Sequence, residues 1–185
     1  MNVPNTITIA RLVAVPFVVW LILDGNLVTA FWVFLAAAIS DALDGIIAKH
    51  FHSETIFGAF IDPLADKVLL VGTYITLGHE GFLQTWLVIL VVFRDIVIVG
   101  GALVFQTVTQ SLTMQPLMIS KANTVAQLCL AIGVLFIEGY GIQDGPVVAI
   151  MGYIVAVMTV WSGATYVITW SGMAAEMEKT DVDQD

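Results

Sequence analysis

Six apolar runs, each close to the ~20 residues needed to cross a lipid hydrocarbon core, leave this chain little choice of architecture. They extend roughly over Ile7 to Leu23, Leu27 to Ala48, Phe57 to Leu77, Phe82 to Phe105, Leu117 to Ile137 and Val147 to Trp170. In lipid a backbone must satisfy its own polar groups, and runs of this length do so as helices. The expected fold is therefore all-α: a polytopic membrane protein of six transmembrane helices, filling residues 1–172, followed by an acidic, disordered cytoplasmic tail over 173–185. The first run begins with the polar Asn2-Val3-Pro4-Asn5-Thr6 and lacks a basic leader, so it reads as a retained span and not a cleaved signal peptide.

The few cations set the orientation. With a cytoplasmic N-terminus, Lys49, Lys121 and Lys179 fall in or beside cytoplasmic segments, and the outer loops near Asp24, near His79 and Glu80, and from Glu138 to Asp144 carry no Lys or Arg. Both termini are then cytoplasmic, and a bacterial inner membrane is the expected location. The net charge of −9 is mostly peripheral, in the tail and the outer loops, which argues against a nucleic-acid partner. Cys129 is the single cysteine and has no thiol partner within the chain.

Against this apolar background stand four aspartates, Asp41 and Asp44 and then Asp62 and Asp66. On helices, Asp41, Asp44, Gly45 and Ala48 share one face, and Gly58, Asp62 and Asp66 share another, by three- and four-residue steps. Two acidic faces are expected to oppose each other. A carboxylate at a span centre costs ~2.5–3.5 kcal/mol, so four need a positive ligand. Two pairs of carboxylates suit two hard divalent cations, and paired metals suit pyrophosphate chemistry. Gly45 and Gly58 would let a flat base or a ribose approach the backbone.

The motif Asp41-x-x-Asp44-Gly45-x-x-Ala48-Lys49, then Gly58-x-x-x-Asp62-x-x-x-Asp66, resembles the signature of the CDP-alcohol phosphotransferases, in which a CDP-linked lipid gives up its phosphatidyl group and CMP leaves. Lys49 stands where many members carry Arg, which keeps the charge but not the bidentate fork. The resemblance implies that Asp41, Asp44, Asp62 and Asp66 bind two Mg2+ or Mn2+ ions and that Asp66 is the general base. It also implies that Asp44, Gly45, Ala48, Lys49 and Gly58, with Asn5 and Thr8 of the opening Pro4-Asn5-x-x-Thr8-x-x-Arg11, form the CDP site. Phe93-Arg94-Asp95 through Gly101, and Gln115 through Gln127, are similar to the cardiolipin synthases of this family. The implied reaction joins CDP-diacylglycerol and phosphatidylglycerol into cardiolipin and CMP, in a protein that is generally a homodimer. Arg94, Lys121 and Arg11 are the candidates for holding the acceptor's phosphate.

Other readings run beside this one. Asp62 before Pro63 suits a helix N-cap, but capping leaves the other three acids unexplained. Arg94 and Asp95, as helix neighbours, are expected to point apart, and Lys67 is expected to make a helix-helix ion pair. A cation- or proton-coupled transporter would also keep acids in the membrane, though around a midplane site between repeats. Phosphatidylglycerophosphate synthase, with glycerol 3-phosphate as acceptor, is the nearest alternative activity.

Overall fold

The computed structural model describes the backbone of residues 3–51, 56–109, 118–143 and 145–182, and the side chains of 11–40, 67–101, 118–143, 145–169 and 171. Six helices follow one another: α1 (Val3–Leu23), α2 (Leu27–Phe51), α3 (Ile56–His79), α4 (Thr85–Thr109), α5 (Met118–Gly139) and α6 (Val147–Val182). α1 packs on α2 and α3, α2 on α5, α5 on α6, α6 on α4, and α4 on α3, which closes a ring, and α3 also meets α5 across it. Large apolar residues from all six helices fill the centre, among them Ile22, Phe34, Tyr74, Leu87, Leu130 and Val155.

The outward faces are as apolar as the core. Trp20, Phe93, Ile96, Val157, Val160, Trp161 and Ile168 are exposed, whereas Asn123, Gln127, Thr159 and Ser162 are buried. A water-soluble bundle places polar residues on its outer stripe, and the reverse arrangement matches a lipid surround. Among the described residues, Met118–Gly139 and Val147–Thr169 are each long and apolar enough to cross a membrane, and Arg11–Leu23 and Leu27–Ser40 are shorter apolar helices. Two buried hydroxyls of α3 turn back onto their own helix. Thr73 Oγ1 donates to the Leu69 carbonyl at 2.9 Å and Thr76 Oγ1 to that of Gly72 at 2.7 Å.

Three turns at one end of the bundle share one physical device. Gly25, Gly81 and Gly141 all have positive φ. After α1, the Gly25 amide donates to Ile22 and the Asn26 amide to Leu21; after α3, Gly81 donates to Gly78 and Phe82 to Leu77; after α5, Gly141 donates to Glu138 and Ile142 to Ile137. This pairing satisfies the last carbonyls of each helix and needs a left-handed residue, which glycine supplies without a Cβ penalty. The device also corrects the expected start of the fourth span. The amides of Phe82 and Leu83 both go to the Leu77 carbonyl, so these apolar residues belong to the turn and α4 begins at Thr85. At the other end of the sequence, α6 runs on past Trp170 to Val182, so the segment expected to be irregular from residue 173 is helical through 182.

Gly81→Ala is expected to lower stability by about 1 kcal/mol, because alanine pays the left-handed penalty that glycine avoids. Thermal unfolding in detergent checks this, with activity per folded molecule unchanged.

Candidate active site

The four aspartates fall on helical backbone, Asp41 and Asp44 in the C-terminal half of α2 and Asp62 and Asp66 in the N-terminal half of α3. α2 ends at Phe51 and α3 starts at Ile56, so the late part of α2 and the early part of α3 belong to the same end of the bundle. Both helices are anchored on α1. The side chains of Asp41, Asp44, Gly45, Ala48, Lys49, Gly58, Asp62, Asp66, Asn5 and Thr8 lie outside the described residues. Among the described residues, no group of three or more His, Cys, Asp or Glu is placed to hold a metal ion. The donor set of the four aspartates fits a hard divalent cation by its chemistry, being all carboxylate oxygen at three- and four-residue helical spacing.

The described side chains resume at Lys67, the residue after Asp66, and there a polar network crosses four helices. Lys67 Nζ of α3 lies 2.7 Å from Asp95 Oδ1 of α4. The same oxygen accepts a hydrogen bond from Arg94 Nη1 at 2.8 Å. Arg94 Nη2 donates to Ser120 Oγ of α5 at 2.7 Å and also to Ser162 Oγ of α6. Arg94 and Asp95 are each only 4% exposed. A buried carboxylate of this kind is tolerable only when cations and hydrogen bonds meet it, and here two cations share one oxygen.

The ion pair of Lys67 with an acid on another helix is as expected. The expectation that Arg94 and Asp95 point apart is overturned, and the physical reason is visible in α6. The arginine stem lies along α6, where even a Cβ added to Gly163 would meet Arg94 Cγ at an ordinary contact distance of 3.5 Å, and the Ser162 and Ser120 hydroxyls hold its far nitrogen. The long stem can then fold the guanidinium back onto its neighbour. Of the three residues expected at an acceptor phosphate, Arg94 has both terminal nitrogens bonded inside the bundle, Arg11 is buried on α1, and Lys121 is exposed at the start of α5.

Several contributors were not singled out from the sequence. Ser120 and Ser162 complete the arginine's contacts, and a hydroxyl beside a glycine within an apolar run, as in Ser162-Gly163, is the signal that would have found the second. One turn apart on α5, Asn123 and Gln127 are fully buried. Asn123 Oδ1 accepts from Thr159 Oγ1 at 3.1 Å, and the Gln127 carbonyl accepts from Tyr74 Oη at 3.0 Å. These contacts tie α5 to α6 and α3 below the charged network. The Lys67–Asp95 pair also lines an apolar groove of 540 Å³ with Val15, Val68, Gly72 and Ile96.

Known proteins resemble this chain over most of its length. The chain is 31% identical over 92% of its length to a chloroplast CDP-diacylglycerol–glycerol-3-phosphate 3-phosphatidyltransferase of Oryza sativa, covering 57% of that protein. It is 28% identical over 89% of its length to a cardiolipin synthase (CMP-forming) of Rattus norvegicus, covering 60% of it. A CDP-diacylglycerol–glycerol-3-phosphate 3-phosphatidyltransferase of Cereibacter sphaeroides is 35% identical over 77% of this chain and 66% of its own length. The chain thus spans little more than half the length of the first two relatives. Residues 1–168 match the family described as CDP-alcohol phosphatidyltransferase, and with its aspartate array on α2 and α3 the chain belongs to that family.

Proposed function

We propose that this protein is a cardiolipin synthase of the CMP-forming type, transferring the phosphatidyl group of CDP-diacylglycerol to phosphatidylglycerol. The observation that carries the reading is the array of Asp41, Asp44, Asp62 and Asp66 on two helices that share an end of the bundle, in a chain that matches this family from residue 1 to 168. Asp41, Asp44 and Asp62, with Asp66, would hold two Mg2+ or Mn2+ ions, which neutralise pyrophosphate charge when bound. Gly45, Ala48 and Gly58 leave space for the cytidine, Asn5 and Thr8 contribute from α1, and Lys49 meets the pyrophosphate as a point charge. Asp66 takes the proton from the free glycerol hydroxyl of phosphatidylglycerol, whose oxygen forms the new bond to the phosphatidyl phosphorus as the bond to CMP breaks.

Lys121, exposed beside Ser120, is the first choice for the acceptor's phosphate, with Arg11 as a second. Arg94 serves behind Lys121 by holding Ser120 in place. The six helices all span the membrane in this reading, with the site and both termini on the cytoplasmic side of a bacterial inner membrane and the protein a homodimer. The outward apolar residues support helices that lie in lipid.

A second acceptor has its own support, since the relatives from Oryza sativa and Cereibacter sphaeroides are named for glycerol 3-phosphate. The sequence over Phe93 to Gly101 and Gln115 to Gln127 favours phosphatidylglycerol. Purified protein given CDP-diacylglycerol and one acceptor at a time separates the two, with cardiolipin expected from phosphatidylglycerol. Product only from glycerol 3-phosphate would reassign the enzyme to phosphatidylglycerophosphate synthesis. Lys121→Ala is expected to raise the KM for the productive acceptor at least tenfold with a smaller change in the KM for CDP-diacylglycerol, since one lost charged hydrogen bond is worth about 1.5–3 kcal/mol.

A further inference from the structure

We infer that the interior of the bundle contains a binding site for an ordered water molecule, between Asn123 and Gln127 of α5 and enclosed by α3 and α6. Both side chains are fully buried, and among the described residues Gln127 Nε2, Gln127 Oε1 and Asn123 Nδ2 have no hydrogen-bond partner in the protein. Exchanging the two ends of the Gln127 amide changes nothing, since neither end is bonded. A buried amide gives up its hydration, and in folded proteins such groups are met by other protein groups or by bound water. Lipid tails supply neither donor nor acceptor.

The spacing fits one bridging molecule. Asn123 and Gln127 are four residues apart, so their Cβ atoms are neighbours about 5–6 Å apart on one face of α5. The Gln127 side chain leans back toward the turn that carries Asn123. Two hydrogen bonds of about 2.8 Å meeting at one oxygen span about 5 Å. A donor on Asn123 and both a donor and an acceptor on Gln127 remain open, and water answers both kinds because it donates and accepts. Two hydroxyls beside the pair complete the surroundings. Thr159 Oγ1 gives its hydrogen to Asn123 Oδ1 at 3.1 Å, and Tyr74 Oη gives its hydrogen to the Gln127 carbonyl at 3.0 Å, so each keeps lone pairs for a further donor. Tyr74 is fully buried and Thr159 is 1% exposed. An enclosure of this kind shuts out a lipid headgroup and suits a molecule the size of water.

The test is proton-detected solid-state NMR on the full-length protein in lipid bilayers, reading magnetisation transfer from water to the Gln127 side-chain amide. Ala126–Gln127 is the single Ala–Gln pair in the chain, so labelling alanine carbonyl carbon and glutamine nitrogen identifies the residue. Transfer from water to this buried amide is the expected result, and its absence would overturn the inference. Thermal unfolding supplies a second reading whose sign differs between a hydrated and a dry site. Gln127→Met keeps the length of the side chain but removes both polar atoms. With water bound, the variant loses hydrogen bonds, and the unfolding temperature is expected to fall by about 2–5 °C. Around a dry amide the same substitution would remove an uncompensated polar group and raise the unfolding temperature, which would contradict the inference. If Gln127→Met does not fold, water transfer in the unsubstituted protein decides alone.

Discussion

Asp66→Asn is expected to lower CMP release by ~10²–10⁴-fold, the usual contribution of a positioned general base, while binding of CDP-diacylglycerol falls far less. Asparagine keeps the size of the side chain and one carbonyl oxygen, but it cannot accept a proton from the acceptor hydroxyl. Its position supports the division of labour. Asp66 is the second of the two motif aspartates on α3 and immediately precedes Lys67, whose partner Asp95 and the linked Arg94 lead to Ser120, the residue before Lys121. The residue after the base candidate and the residue before the acceptor candidate, Lys67 and Ser120, are thereby joined through one bonded network. Asp41→Asn, on α2, is expected to weaken metal-dependent donor binding itself. Single-turnover CMP release with donor-binding titrations separates the two effects. Equal loss of donor binding in both variants would contradict the distinct roles.

Arg94→Met is expected to have the largest effect on the fold, about 3 kcal/mol, because removing one partner of a buried pair leaves the other charge poorly compensated. Lys67 still meets Asp95 Oδ1, which keeps the loss toward the lower end of that range. Ser120 and Ser162 would also lose their donor, loosening α5 and α6 from α4. Arg94→Lys should recover only part of the stability, since one ammonium cannot reproduce the guanidinium's fork toward a carboxylate and two hydroxyls. Adding Asp95→Leu to Arg94→Met should destabilise less than the two single costs combined, as expected for residues in one network. Thermal unfolding in detergent reads these variants, with the single Asp95→Leu measured beside them to close the cycle. An Arg94→Met protein as stable as the original, with only a raised KM for the acceptor, would return this arginine to the phosphate-binding role first expected of it.

The helix count and approximate helix positions were legible in the sequence because each run is long and apolar, and such runs satisfy their backbone most readily as helices. Their ends were less legible. The glycine turn after α3 absorbs Phe82 and Leu83, which hydropathy alone assigns to the next helix, and α6 continues as helix beyond its apolar stretch. The aspartate motif was readable because carboxylates are rare in apolar sequence and their spacing is helical. The network behind it was not. The groups that hold the Arg94 guanidinium in place lie on α5 and α6, far along the chain, and only tertiary packing brings them close. Ser120 and Ser162 are ordinary hydroxyls until that arginine lies between them.

The measurement that bears most directly on the central claim is CMP release from CDP-diacylglycerol by the purified protein, with and without Mg2+ or Mn2+ and with and without phosphatidylglycerol. Release that requires both the metal and the acceptor, with cardiolipin formed in equal amount, is the predicted result. No CMP under any combination of metal and alcohol acceptor would contradict phosphatidyl transfer by this chain.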